Sequence, residues 1–102
     1  MRKIQALRAP PVESEITVDF PQERAWVISP EFTFRISAPA KSRVEVSIDD
    51  GEWRPCRQDG AYWWYDWAGY MSGKHQAVAR VQPRAEGQEV VSRTCCFRVA
   101  LP

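Results

Sequence analysis

Residues 44–67, VEVSIDDGEWRPCRQDGAYWWYDW, restrict this chain to antiparallel sheet. Val44, Val46 and Ile48 alternate with Glu45 and Ser47, the period-2 pattern of a strand with one buried face. Asp49-Asp50-Gly51 follows, and Trp53 begins a return on its far side; an Asp-Gly step supplies the positive φ that a tight hairpin turn needs. After a second turn at Gln58-Asp59-Gly60 comes the run Tyr62-Trp63-Trp64-Tyr65-Asp66-Trp67. In a strand this run puts Tyr62, Trp64 and Asp66 on one face and Trp63, Tyr65 and Trp67 on the other. A sheet in one small domain has one face to bury, so the rings on the second face must be covered or must bind something.

The same grammar extends along the chain. Ile16-Thr17-Val18 is a short strand closed by Pro21, and Ala25-Trp26-Val27-Ile28 is a second, closed by Ser29-Pro30. Phe32, Phe34 and Ile36 alternate with Thr33, Arg35 and Ser37. Ala38–Ser42 is a loop into the Val44–Ile48 strand, Trp53–Arg57 returns, and the aromatic strand occupies residues 61–68. Residues 74–82 set His75, Ala77, Ala79 and Val81 against Gln76, Arg80 and Gln82. Pro83 and Gly87 bracket a turn, and in Val90–Val99 the residues Cys95, Phe97 and Val99 share a face. Residues 1–15 have no period and contain Pro10-Pro11, so they form a flexible N-terminal arm, with the domain spanning 16–102. Short strands with Gly/Pro turns and no helical period define an all-β protein, and about seven strands in about 100 residues is the size of an immunoglobulin-like β-sandwich. The expected core is Phe32, Phe34, Ile36, Val44, Val46, Ile48, Trp53, Ala79, Phe97 and Val99.

Composition narrows the function classes. At 102 residues, 44% hydrophobic and 26% charged, the chain has the size and make-up of one soluble globular domain. Its 14 basic and 13 acidic residues give a net charge of +1, without the one-sided basic excess of a nucleic-acid binder. The apolar run after Met1-Arg2-Lys3 is too short for a signal peptide, and no stretch approaches a membrane span, so a cytoplasmic location is expected. The odd cysteine count excludes a complete internal disulfide framework; a Cys56–Cys95 bridge stays open beside reduced thiols, which are favoured.

Catalytic and metal chemistry find little to work with. Cys95 and Cys96 are adjacent, point to opposite faces of a strand and do not converge on a metal as C-x₂-C does. Cys56 lies beside Arg54 and Arg57, which suit a nucleophile, but a small core residue flanked by solvated arginines is the favoured reading. Asp49, Asp50 and Asp59 occupy turns, where Asp is favoured for backbone reasons. No cofactor is expected, and the chain is not expected to be an enzyme.

The pattern V-x-V-S-I-D-x-G-x-W over residues 44–53, the aromatic strand, and then Gly73-x-His75 leading to Arg80 resemble bacterial immunoglobulin-like modules of the early-set type. The dimerisation domain attached to molybdenum-cofactor oxidoreductases is a similar case. The resemblance covers roughly residues 16–100 and implies a scaffold that packs against another domain or subunit. Here Cys56 stands where such modules tend to place a small buried residue, and Val81-Gln82-Pro83 replaces the acidic residue that often follows the basic end of the later strand. The expected role is therefore a non-catalytic interaction module for another protein or a second copy. A carbohydrate-binding module, whose stacking rings would be coplanar, is the alternative. The expected surface is Tyr62, Trp64 and Asp66 with Tyr70 from the following loop, in company with Arg35, Arg54, Arg57 and Arg80. A carboxylate is costly to bury unpaired, so Asp66 marks the outer face.

Overall fold

The computed structural model describes residues 15–82 and 90–102. The N-terminal arm expected at 1–15 lies, apart from Glu15, outside the described residues, and so does the turn expected at Pro83–Gly87. The described residues form ten strands: β1 (Thr17–Phe20), β2 (Trp26–Val27), β3 (Glu31–Ser37), β4 (Val44–Ile48), β5 (Arg54–Pro55), β6 (Arg57–Asp59), β7 (Tyr62–Ala68), β8 (Gly73–Val81), β9 (Val90–Val91) and β10 (Cys95–Val99).

They form two sheets. The first has the order β1-β3-β7-β6; the second has the order β2-β10-β8-β4-β5, with β9 beside β8. Without the two-residue pieces β2, β5 and β9, seven strands remain, ordered A-B-E-D on one sheet and G-F-C on the other. The protein is thus an all-β immunoglobulin-like sandwich. Where the sequence implies continuous strands at 53–57 and 90–99, the structure divides them. Pro55 ends the first piece at the edge of the second sheet, and the chain crosses through Cys56 to pair as β6 with β7. One pair departs from the antiparallel expectation, since β2 runs parallel to β10 with Trp26 opposite Arg98. The cause is the path of the chain: after β1 it changes sheets without reversing.

The core is where alternation puts it. Phe34, Ile36, Val44, Val46, Trp63, Ala77, Ala79, Phe97 and Val99 are buried between the sheets, and Tyr65, Trp67, Phe32 and Ile48 pack against them. Phe34 has no exposed surface and meets the rings of Phe32, Tyr65, Trp67 and Phe97 edge-on at 5.6–6.5 Å. The two buried hydroxyls among the described residues are satisfied: Ser47 donates to the Gly51 carbonyl at 2.8 Å, and Ser92 donates to the Arg93 carbonyl at 2.9 Å.

Trp53 is not core. The register pairs Val46 with Arg54, which turns Trp53 outward with Glu45 and Arg80. The Arg80 guanidinium covers its ring at 4.2 Å and donates to Glu45 at 2.8 Å. The turn explains the register. Positive φ falls on Asp49 (55°) and Asp50 (59°) rather than on Gly51, giving a two-residue type I′ turn closed by Gly51 N–H to the Ile48 carbonyl at 3.0 Å. Gly51 fits for a different reason: a Cβ there would stand 3.1 Å from the Ile48 oxygen, closer than an ordinary contact.

Candidate functional site

On the outer face of the first sheet, register places Trp64 between Arg35 on β3 and Arg57 on β6, with Asp66 beside Thr33. These residues hold one another in place. Asp66 accepts from Thr33 Oγ1 at 2.9 Å and from Arg57 Nη1 at 2.7 Å, and these hydrogen bonds, with the Arg57 charge, hold its carboxyl below the usual range. The Trp64 indole N–H donates to the Asp59 carbonyl at 3.1 Å. The Tyr62 and Trp64 rings meet edge to face, 6.0 Å apart at 78°.

Arg35 is the centre of the other half. Its guanidinium lies 4.1 Å from the Tyr62 ring and 4.8 Å from the Phe20 ring, and its Nε donates to Asp19 at 3.1 Å. Asp19 also accepts from Ser37 Oγ at 2.6 Å. A bulge in β1 between Val18 and Phe20 makes this arrangement, since it sets Phe20 opposite Arg35 while leaving Asp19 free to reach it. Sequence reasoning missed Asp19 and Phe20 because strict alternation puts them on opposite faces. Thr33 was legible, since it shares the parity of Arg35.

Tyr62, Trp64 and Asp66 therefore lie where parity puts them, and Arg35 and Arg57 join them. Tyr70 does not. Gly69 (φ 76°) turns the loop, and Tyr70 stacks on Trp67, a core-side ring, at 3.8 Å and 20°. Its hydroxyl donates to the Ser29 carbonyl at 2.5 Å, and burial, aided by Glu31, raises its pKa. Arg54 and Arg80 belong to the second sheet.

Tyr70 instead belongs to an aromatic cluster around His75. The imidazole stacks with Phe97 at 5.9 Å and meets the edge of Trp67 at 5.1 Å. Its Nδ1 lies 2.6 Å from Asp49 Oδ2 and its Nε2 lies 2.7 Å from the Met71 carbonyl. Both partners only accept, so the arrangement favours the imidazolium, which donates from both ring nitrogens. Burial opposes that charge, but the Asp49 and Met71 hydrogen bonds and the Asp49 carboxylate outweigh it and raise the pKa above the ordinary value.

The thiols are free. Burial, then Glu45, pushes Cys56 up to about 12; burial, then Glu23 and Cys96, pushes Cys95 up to about 11. Neither gives a thiolate near neutral pH. Among the described residues no group of three or more His, Cys, Asp or Glu side chains could hold a metal ion, and no helix is long and apolar enough to cross a membrane.

No protein-family model and no curated protein matches the sequence. Among solved structures, the chain is similar to the fibronectin(III)-like modules of Clostridium thermocellum CbhA, with a TM-score of 0.63 at 17% identity over 82% of this chain and 93% of that one. It is also similar to an engineered protein, with a TM-score of 0.66 at 20% identity over 84% of this chain. It spans only 20% of that second chain's length. These likenesses show the fold alone: an immunoglobulin-like β-sandwich.

Proposed function

We propose that this chain is a non-catalytic interaction module that binds another protein, or a second copy of itself, through the outer face of the first sheet. One observation carries the reading. Phe20, Arg35, Tyr62, Trp64 and Arg57 form a continuous aromatic–arginine face on which each ring and guanidinium is already held by a neighbour. Trp, Tyr and Arg dominate the energetics of protein interfaces, and groups fixed before binding lose little entropy on contact. Engagement of both His75 nitrogens and the raised pKa values of Cys56 and Cys95 support a role without catalysis. The free thiols support a reducing, cytoplasmic setting.

Carbohydrate binding is the weaker reading, because a sugar platform needs coplanar rings and Tyr62 and Trp64 stand at 78°. Sedimentation at rising concentration, together with pull-down by the immobilised chain, tests the proposal. A protein complex or a dimer that Trp64→Ala removes while the melting temperature stays within a few degrees supports it. A chain that stays monomeric and retains a complex equally well with and without Trp64 removes this face from consideration.

A further inference from the structure

The other sheet carries a surface of a different kind. On its outer face, register sets Trp26, Arg98 and Lys74 side by side on β2, β10 and β8. Arg98 and Lys74 are direct cross-strand neighbours, and like charges so placed repel. Among the described residues neither has an ion pair; Arg98 lies only against the Trp26 ring, at 5.6 Å. Trp26 is 61% exposed. One pleat along, Arg24 is tied to β10 only through its backbone, Arg24 N–H to the Cys96 carbonyl at 2.7 Å, and its side chain has no ion pair among the described residues.

These residues line one open groove of about 780 Å³. Three exposed acids, Glu23, Asp49 and Asp50, also line it, and each is held by a hydrogen bond from the fold. Glu23 accepts from the Cys96 N–H, Asp49 holds His75 and the Gln76 N–H, and Asp50 accepts from the Gln76 amide. The rim carboxylates thus each accept a hydrogen bond from the fold, while Arg24, Lys74 and Arg98 have no ion pair among the described residues. A fold that retains an unrelieved pair of like charges beside an exposed indole departs from local consistency, and such departures concentrate at functional positions.

We infer that this groove is a second docking surface, for an acidic peptide segment of a partner protein. Adjacent strands lie about 4.8 Å apart and alternate residues of an extended chain about 6.8 Å apart. Two carboxylates spaced i and i+2 in an extended segment therefore suit Arg98 with Lys74 or with Arg24, and Trp26 offers a ring for the segment's apolar stems. The surface lies on the opposite sheet from Tyr62 and Trp64, so it stands whether or not that face is an interface.

Fluorescein-labelled hexaglutamate, followed by anisotropy with the full chain at low salt, is the probe. It should bind saturably at least tenfold more tightly than hexaglutamine and weaken as salt rises. Lys74→Glu and Arg98→Glu should each weaken binding tenfold or more. Lys74→Glu should also raise the melting temperature, because it replaces the repelling pair with an attracting one, and that separates lost binding from lost folding. Three results overturn the inference: no saturable binding, hexaglutamate binding that both charge reversals leave intact, or inorganic phosphate competing as strongly as unlabelled hexaglutamate at equal charge.

Discussion

The outer faces of the two sheets solve the same problem in opposite ways. On the first, Arg35 is clamped by Asp19 between Tyr62 and Phe20, and Arg57 is held by Asp66, so every guanidinium is matched within the face. On the second, Arg98 and Lys74 sit opposite each other without an ion pair to either, and the nearby carboxylates of Asp49 and Glu23 are engaged by His75 and the Cys96 N–H. A surface matched within itself is rigid and presents shape. A surface left unmatched presents charge, and it is relieved only by something that arrives. Side-chain chemistry differs little between the two; what separates them is which residues the strand order makes neighbours.

The largest expected effect tests whether the first sheet has one inner and one outer row. Trp63→Ala, at a 2% exposed position, should cost about 3–5 kcal/mol in chemical denaturation, whereas Trp64→Ala, held only on the surface, should cost about 1 kcal/mol. Equal losses would erase the distinction between the rows. Arg35→Ala comes next, at about 1–2 kcal/mol, because it removes two ring contacts and a partly buried ion pair. A loss within error would mean that the matched face is matched in geometry only.

The junction between the faces responds to pH. His75 has a raised pKa in the folded chain, so its contribution is full below the unfolded value near 6.5 and is lost as pH rises through the folded value. As the chain has a single histidine, one imidazole resonance should titrate above the ordinary value, and Asp49→Asn should bring it down. A resonance titrating below 6.5 would contradict the doubly bonded ring. The smallest effect belongs to the second sheet: Lys74→Glu should stabilise the fold by roughly 0.2–1 kcal/mol, whereas the same change on a matched surface would destabilise it. Destabilisation by Lys74→Glu would show that Lys74 already has a partner.

Much of the architecture was legible because alternation is local. Phe34, Ile36, Val44 and Val46 announce their inward face, and Trp63, Tyr65 and Trp67 are told from Tyr62, Trp64 and Asp66 by parity alone. What failed depends on events between strands. Trp53 went outward because a type I′ turn on Asp49 and Asp50 set the register, and Tyr70 went inward because the loop after Gly69 folds over the end of the sandwich. The Phe20–Arg35–Tyr62 stack needed a bulge that no alternation signals. The Arg98–Lys74 pair was invisible for a plainer reason, since nothing in a sequence says that two distant cations will share a rung.

The strand ends described above bear on how this domain behaves when many copies are crowded together. Among the described residues these sheet borders are interrupted: β1 by its bulge, β5 by Pro55, β6 by its three-residue length, and β10 by Glu23, whose carboxylate takes the Cys96 N–H, together with the short β2. At these borders an incoming strand therefore finds no long run of regular backbone groups to copy. For a sandwich this rich in tryptophan, that interruption guards against runaway β-aggregation, and it leaves side chains rather than open backbone as the means of contact.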